Sequence, residues 1–235
     1  MVTVYGYVRA PWWAVFLSTI IALWLVACAA RDTATAPAGV VPPPIVRANA
    51  RPEWRPGDRW VYDWTSGTNT GTKTVEVLEI REVNKVRYYV VRVGDSEQYF
   101  TLDFRWSGIS RDLRIEARMI PPQPWFIWPL EVGSRWVHRG VYEGLEKNRK
   151  VSDTFAVVAA ETVEVPAGRF PALKVVREGS SRDSDQYWFA PEVRWYVRWI
   201  GHRGGVQFEE RLREYHMAPR LIPESAPVKP PTQTR

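Results

Sequence analysis

The chain carries one cysteine, Cys28, and three histidines, His138, His202 and His216. These residue types most often supply nucleophilic, metal-binding or proton-transfer chemistry. A lone thiol cannot close an internal disulfide. No two histidines stand at a ligand spacing, so neither a metal site nor a cofactor is expected. A Gly-x-Ser-x-Gly nucleophile elbow is absent. The run Gly67-Thr68-Asn69-Thr70-Gly71-Thr72-Lys73-Thr74 has the composition of a phosphate loop. Its spacing is wrong, because Thr72 stands where the second glycine is required, and a hairpin loop is expected instead. Neighbouring carboxylates such as Glu209 and Glu210 fall on opposite faces of a strand, whereas acid–base hydrolysis needs two converging on one bond. The chain is therefore read as a non-enzyme.

Cys28 has a different context. It closes Leu25-Val26-Ala27-Cys28, and an uncharged apolar run from Pro11 to Val26 leads up to it. Arg9 is the single cation before that run. These are the parts of a secretory signal. The tetrapeptide resembles a bacterial lipobox, with a small residue before the cysteine and an aliphatic one three before it. The resemblance implies cleavage after residue 27 and a lipid-bearing Cys28, held at a membrane by acyl chains worth about 0.8 kcal/mol per buried methylene. Ala29-Ala30 follow the cysteine. In Gram-negative lipoproteins an Asp there commonly signals inner-membrane retention, so for a Gram-negative source the resemblance implies an outer-membrane anchor facing the periplasm. An uncleaved anchor and plain secretion are the alternatives, although the run is short for a span of about 20 residues.

Residues 28–52 hold Pro37, Pro42, Pro43, Pro44 and Pro52, with little apolar periodicity. They read as an extended tether. Residues 219–235 read as a disordered tail. The folded body is expected over 53–218, a length that suits one domain. Its runs of Val, Tyr, Trp and Phe, broken by Gly and Pro, indicate strands. Trp60, Tyr62 and Trp64 alternate with Arg59, Val61 and Asp63, as do Trp195, Val197 and Trp199 with Arg194, Tyr196 and Arg198. That is the period of a half-buried strand. A short helix is expected near Pro124–Leu130. Turns are expected at Val165-Pro166-Ala167-Gly168 and Gly201–Gly205.

An internal repeat organises the body into units of about 53–120 and 129–216. Pro56–Tyr62 matches Glu131–His138, Ser96–Phe100 matches Ser184–Trp188, and Phe104-Arg105-Trp106 matches Val193-Arg194-Trp195. The expected fold is all-β: a curved antiparallel meander of two pseudo-repeats, half-barrel or barrel-like, with ten or eleven strands. The segments Val165-Pro166-Ala167-Gly168-Arg169-Phe170 and Tyr187-Trp188-Phe189-Ala190-Pro191-Glu192-Val193 resemble a pattern in poorly characterised bacterial envelope proteins. The architecture also resembles the half-open barrels of outer-membrane lipoprotein carriers.

The net charge is +6, and removal of Arg9 with the signal leaves +5. Arginine repeatedly stands beside tryptophan, as at Arg59-Trp60, Arg135-Trp136 and Arg198-Trp199. Such pairs can stack on bases, but an envelope anchor gives no access to nucleic acid, so none is expected as a partner. The arginines are read as solvated neighbours of core rings, as cross-strand stacking partners, or as a surface for anionic envelope components. The function expected is non-catalytic binding of an acyl chain, a lipid or an apolar partner segment. The candidate binding face is Trp60, Tyr62, Trp136, Trp188, Trp195 and Trp199. A structural scaffold with a filled core, docked on an envelope complex, is the rival.

Overall fold

The computed structural model describes residues 47–179 and 183–219. Cys28, the signal segment, most of the tether and most of the tail lie outside them. The described residues open with β1 (Arg47–Ala48), inside the segment read as tether. A first run of six strands follows: β2 (Arg59–Ser66), β3 (Asn69–Val83), β4 (Val86–Val93), β5 (Ser96–Thr101), β6 (Arg105–Arg111) and β7 (Arg114–Pro124). After β8 (Leu130–Glu131), which pairs with β1, come six more. These are β9 (Arg135–Gly144), β10 (Asn148–Val165), β11 (Gly168–Gly179), β12 (Ser184–Ala190), β13 (Trp195–Arg203) and β14 (Val206–His216). All pairings are antiparallel. The β14–β2 and β7–β9 pairings close the twelve strands into a barrel.

The repeat is visible in the backbone. Gly57 N donates to Val77 O at 2.8 Å, and Gly133 N donates to Val157 O at 2.9 Å. Both glycines have φ near +90°, a conformation that a Cβ disfavours. The bulge between Val77 and Glu79 in the first half recurs between Val157 and Ala159 in the second. Trp60 and Trp136 occupy matching positions, and each donates its indole N–H to a backbone carbonyl, Val193 O at 2.8 Å and Pro124 O at 3.0 Å.

Downstream, the sequence match is out of register by one residue. Phe100 pairs with Trp106, and Phe189 pairs with Tyr196 across the corresponding bulge. Phe100 therefore corresponds to Phe189, not Trp188, and Trp106 corresponds to Tyr196, not Trp195. A slip of one residue exchanges the two faces of a strand.

Alternating strand directions give the barrel two distinct ends. The turns at 67–68, 94–95, 112–113 and 204–205 surround one end, the mouth. The other end carries the turns at 84–85, 102–104, 166–167 and 191–194 and both chain ends of the body. Trp54 fills this second end, with ring centroids 4.5 Å from Phe104, 4.6 Å from Trp195 and 5.4 Å from Trp60 and Phe100. Asp58, fully buried, fastens it. Its carboxylate accepts from Arg55 N at 3.0 Å, Ala218 N at 2.8 Å and the Arg194 guanidinium at 3.1 Å. One side chain thus joins the start of the body, its end and the β12–β13 turn.

Residues 125–129 form no helix. Trp125, Phe126 and Trp128 instead pack their rings into the barrel, against Tyr187, Phe189 and Trp195. Pro124 and Pro129 lack the N–H that a helix would use, and rings packed inward from near-consecutive positions suit an irregular segment. The outer wall carries ion pairs such as Arg59–Glu214 at 3.4 Å, Arg213–Asp63 at 3.3 Å and Arg198–Glu209 at 2.8 Å.

Candidate functional site

The mouth end is where the interior stops being filled. Near-parallel rings line it: Trp195 and Trp125 at 5.6 Å, Trp125 and Tyr187 at 5.5 Å, Tyr187 and Trp199 at 6.3 Å. Each comes from an inward position of β12 or β13, or from the segment after β7. They bound an apolar cavity of about 260 Å³, completed by Val75, Val91, Val93, Phe100, Trp106 and Ile109. Lys73 and Arg203 are the charged groups in its wall. A second, polar cavity of about 160 Å³ adjoins it, sharing Trp106, Trp125, Tyr187 and Arg203. A larger hollow of about 620 Å³ lies between the β4–β5 and β6–β7 hairpin tips. Its walls are Arg92, Asp95, Glu97, Arg111 and Asp112, which makes it a solvated groove.

Buried charge holds these cavities in shape. Asp185, 1% exposed, accepts from the Arg177 Nε, from Arg203 at 2.7 and 2.9 Å, and from the Trp199 indole N–H at 2.9 Å. Arg177 reaches onward to Asp153 at 2.7 Å, and the Gln123 amide donates to Asp153 at 2.5 Å. Trp125 donates to Gln123 at 3.2 Å. Two rings of the apolar cavity are thereby fixed by carboxylate-anchored bonds, which lock their rotamers. Gly201 makes room for this: a Cβ there would stand 2.6 Å from the Trp199 ring and 3.0 Å from the Asp185 carboxylate.

The electrostatics follow. Burial opposes the Arg177 charge, but the Asp185 and Asp153 carboxylates outweigh it and hold its pKa above the ordinary range. Burial alone would raise the Asp153 pKa; His138 and Arg177 reverse this and keep it low. The His138 Nδ1 stands 3.9 Å from Asp153, too long for a hydrogen bond, while its Nε2 lies 2.9 Å from Pro121 O. Burial, then the Asp185 charge, pushes the Tyr187 phenol well up. Burial, then Glu210, does the same for Tyr62 and Tyr196. Glu210 sits inside the barrel, bonded to Lys73 and accepting from the Tyr196 hydroxyl at 2.8 Å. Glu209 faces outward to Arg198. The two carboxylates do fall on opposite faces.

The six aromatic candidates separate into three groups. Trp195 and Trp199 line the apolar cavity. Trp60 and Tyr62 are fully buried in the packed interior, Tyr62 stacking on Tyr196 at 4.9 Å and donating to its carbonyl at 2.8 Å. Trp136 stacks on Phe155 at 5.1 Å, away from the apolar cavity. Trp188 is on the strand face away from the barrel interior, yet it is covered by its neighbours and only 4% exposed. It lies between Lys174 and Arg198, whose charged groups stand 4.8 and 5.0 Å from its ring, and its indole N–H meets Glu161. The one-residue slip in the repeat match carried Trp188 to the wrong face. Cys28 lies outside the described residues.

The sequence reading missed Lys73, Trp106, Trp125, Asp153, Arg177, Asp185, Tyr187 and Arg203. A signal for some of them existed. Asp185 shares its strand face with Tyr187, and Asp153 with Val151 and Phe155, so a carboxylate on an inward position could have been read from the period of two. Among the described residues no group of His, Cys, Asp and Glu is arranged to hold a metal ion.

No protein-family model and no curated protein matches the chain. Solved structures similar to it include a lipoprotein, an exported protein and a hypothetical lipoprotein. One is a provisionally assigned lipoprotein from Parabacteroides distasonis, 11% identical, matched over 70% of this chain and 97% of its own, with a TM-score of 0.41. Another is a provisionally assigned exported protein with a YmcC-like fold from Bacteroides fragilis, 14% identical over the same shares, with a TM-score of 0.42. The third is the hypothetical lipoprotein YmcC from Escherichia coli, 10% identical over 69% of this chain and 85% of its own, with a TM-score of 0.35. Identities and scores this low transfer no function, so what the mouth does follows from its own residues.

Proposed function

We propose that the protein is a lipid-anchored bacterial envelope protein that binds a small apolar ligand at the mouth of its barrel, without catalysis. The observation that carries the binding reading is the ring-lined cavity of about 260 Å³ at the unfilled end. Small-molecule sites are concave, mostly apolar and polarised by a few placed groups. A cavity of about 150 Å³ already holds benzene, and drug-sized ligands occupy about 300–1,000 Å³. One ring system or a short chain segment therefore fits inside; a long acyl chain would leave most of its length outside.

The lipobox at Leu25-Val26-Ala27-Cys28 supports the anchor, and Ala29-Ala30 support the outer membrane in a Gram-negative cell. The described chain enters the body at the filled end. The rival scaffold reading draws on the ring packing around Trp54, which fills the end opposite the mouth.

Native mass spectrometry of the chain extracted from an envelope tests the proposal. The expected result is a mature N-terminus at lipid-modified Cys28 and a non-covalent apolar species, retained by the wild type and lost from Val93→Phe, which fills the cavity. An unlipidated chain would overturn the anchor. A lipidated chain with no bound species would favour the scaffold.

A further inference from the structure

The ends of the apolar cavity are not chemically equivalent, and Lys73 marks the difference. Its cationic stem projects from an inward position of β3, with Nζ 5.7 Å from the Tyr62 ring and 6.0 Å from the Trp199 ring. Its counterion Glu210 lies behind it, 7% exposed, whereas Lys73 keeps 25% of its side chain open. Arg203 repeats the arrangement. Its partner Asp185 is 1% exposed, and Arg203 itself is 36% exposed. At both places the carboxylate is buried and the cation faces the cavity.

The two cations differ in what they have left to give. Arg203 commits its terminal nitrogens to Ser184 O at 3.0 Å, His202 O at 2.9 Å and both Asp185 oxygens. Among the described residues Lys73 donates once, to Glu210, out of three N–H groups. Gln98 lines the same cavity, and its amide makes no hydrogen bond among the described residues. The cavity thus offers donors and aromatic faces, with no carboxylate in its wall.

We propose that the ligand is an amphiphilic monocarboxylate: one aromatic ring or short apolar body against Trp125, Tyr187 and Trp199, with its carboxylate accepting from Lys73. This inference rests on the binding reading above. Each cation already has a counterion, so the site provides directed N–H donors and little net charge. That favours a single carboxylate over a phosphate dianion. Arg203 adds a positive edge at the mouth without a direct bond.

The test is calorimetric titration of the full chain in nanodiscs with 3-phenylpropionate and with its neutral analogue 3-phenylpropanamide. Charge-assisted bonds are about twice as strong as neutral ones, so the acid is expected to bind about 10-fold tighter than the amide. Lys73→Met alone would strand the buried Glu210 and risk the fold. The double variant Lys73→Met/Glu210→Gln removes the pair together and leaves an acceptor for the Tyr196 hydroxyl. In it the acid-to-amide ratio should fall to about 1. Equal binding of acid and amide by the wild type would overturn the carboxylate assignment and leave the apolar cavity standing. Undiminished acid preference in the double variant would also overturn it. Failure of both probes to bind would overturn the cavity reading itself.

Discussion

Replacing Asp185 with Asn should unfold the mouth network at large cost. The carboxylate is 1% exposed and bonds Arg177, Arg203 and Trp199 together. Asparagine keeps the shape and one acceptor oxygen but removes the charge. Arg177, 12% exposed, is then left with Asp153 alone, and Arg203 loses its only carboxylate among the described residues. Removing one partner of a buried pair costs about 3–5 kcal/mol, because the remaining charge stays buried without compensation. At about 2–4 °C per kcal/mol for a body of this size, Tm should fall by about 6–20 °C. The control is Glu79→Gln, whose carboxylate is half exposed beside Arg81; an exposed pair contributes about 0–1 kcal/mol. Urea unfolding followed by tryptophan fluorescence and by far-UV circular dichroism measures both, and coincident transitions license the comparison. An Asp185→Asn cost within about 1 kcal/mol of the control would show that the charges are hydrated in the folded protein, and would remove the basis for fixing Trp199.

Trp54→Ala empties the centre of the ring cluster at the filled end and should cost about 3–5 kcal/mol by denaturant titration; a loss under about 1 kcal/mol would mean the end is loosely packed. Tyr62, Tyr187 and Tyr196 are held protonated by burial first. Their folded pKa values exceed the unfolded value of about 10, so the stability they contribute is present below that pH and is lost as pH rises above it. Absorbance at 295 nm should therefore show them ionising in one step with alkaline loss of the near-UV dichroism, and reversible ionisation of all tyrosines in the folded state would contradict their burial. Cys28→Ser should abolish lipid labelling and release the mature body from the membrane fraction; unchanged retention would refute the lipobox.

Much of this fold was legible because a half-buried strand writes its period into the chain. Trp60 and Tyr62 point inward as their alternation requires, and the matched glycines Gly57 and Gly133 mark the two halves. The repeat match limited the reading. The same bulge lies beside Phe100 and beside Phe189, so those two residues correspond, whereas the motif Ser96–Phe100 aligns by residue type with Ser184–Trp188, one position short. That offset exchanges the strand faces, and Trp188 lies between Lys174 and Arg198 on the face away from the interior. The segment 125–129 was misread for another reason: its conformation is set by ring packing inside a barrel that its local sequence does not describe. The polar half of the site was hidden because Asp153, Asp185 and Arg177 are charged residues on inward positions, where expectation favours apolar ones. Only their mutual pairing, across the consecutive strands β10, β11 and β12, makes that burial affordable.

The central claim is that an apolar ligand enters the mouth cavity. Crystals soaked with bromobenzene test it most directly, because anomalous scattering locates the bromine without assumptions about the ligand. The account predicts a bromine peak inside the cavity bounded by Val93, Ile109, Trp125 and Trp199, absent from Val93→Phe. Bromine found only on the outer wall, or an identical peak in the filled variant, would contradict it.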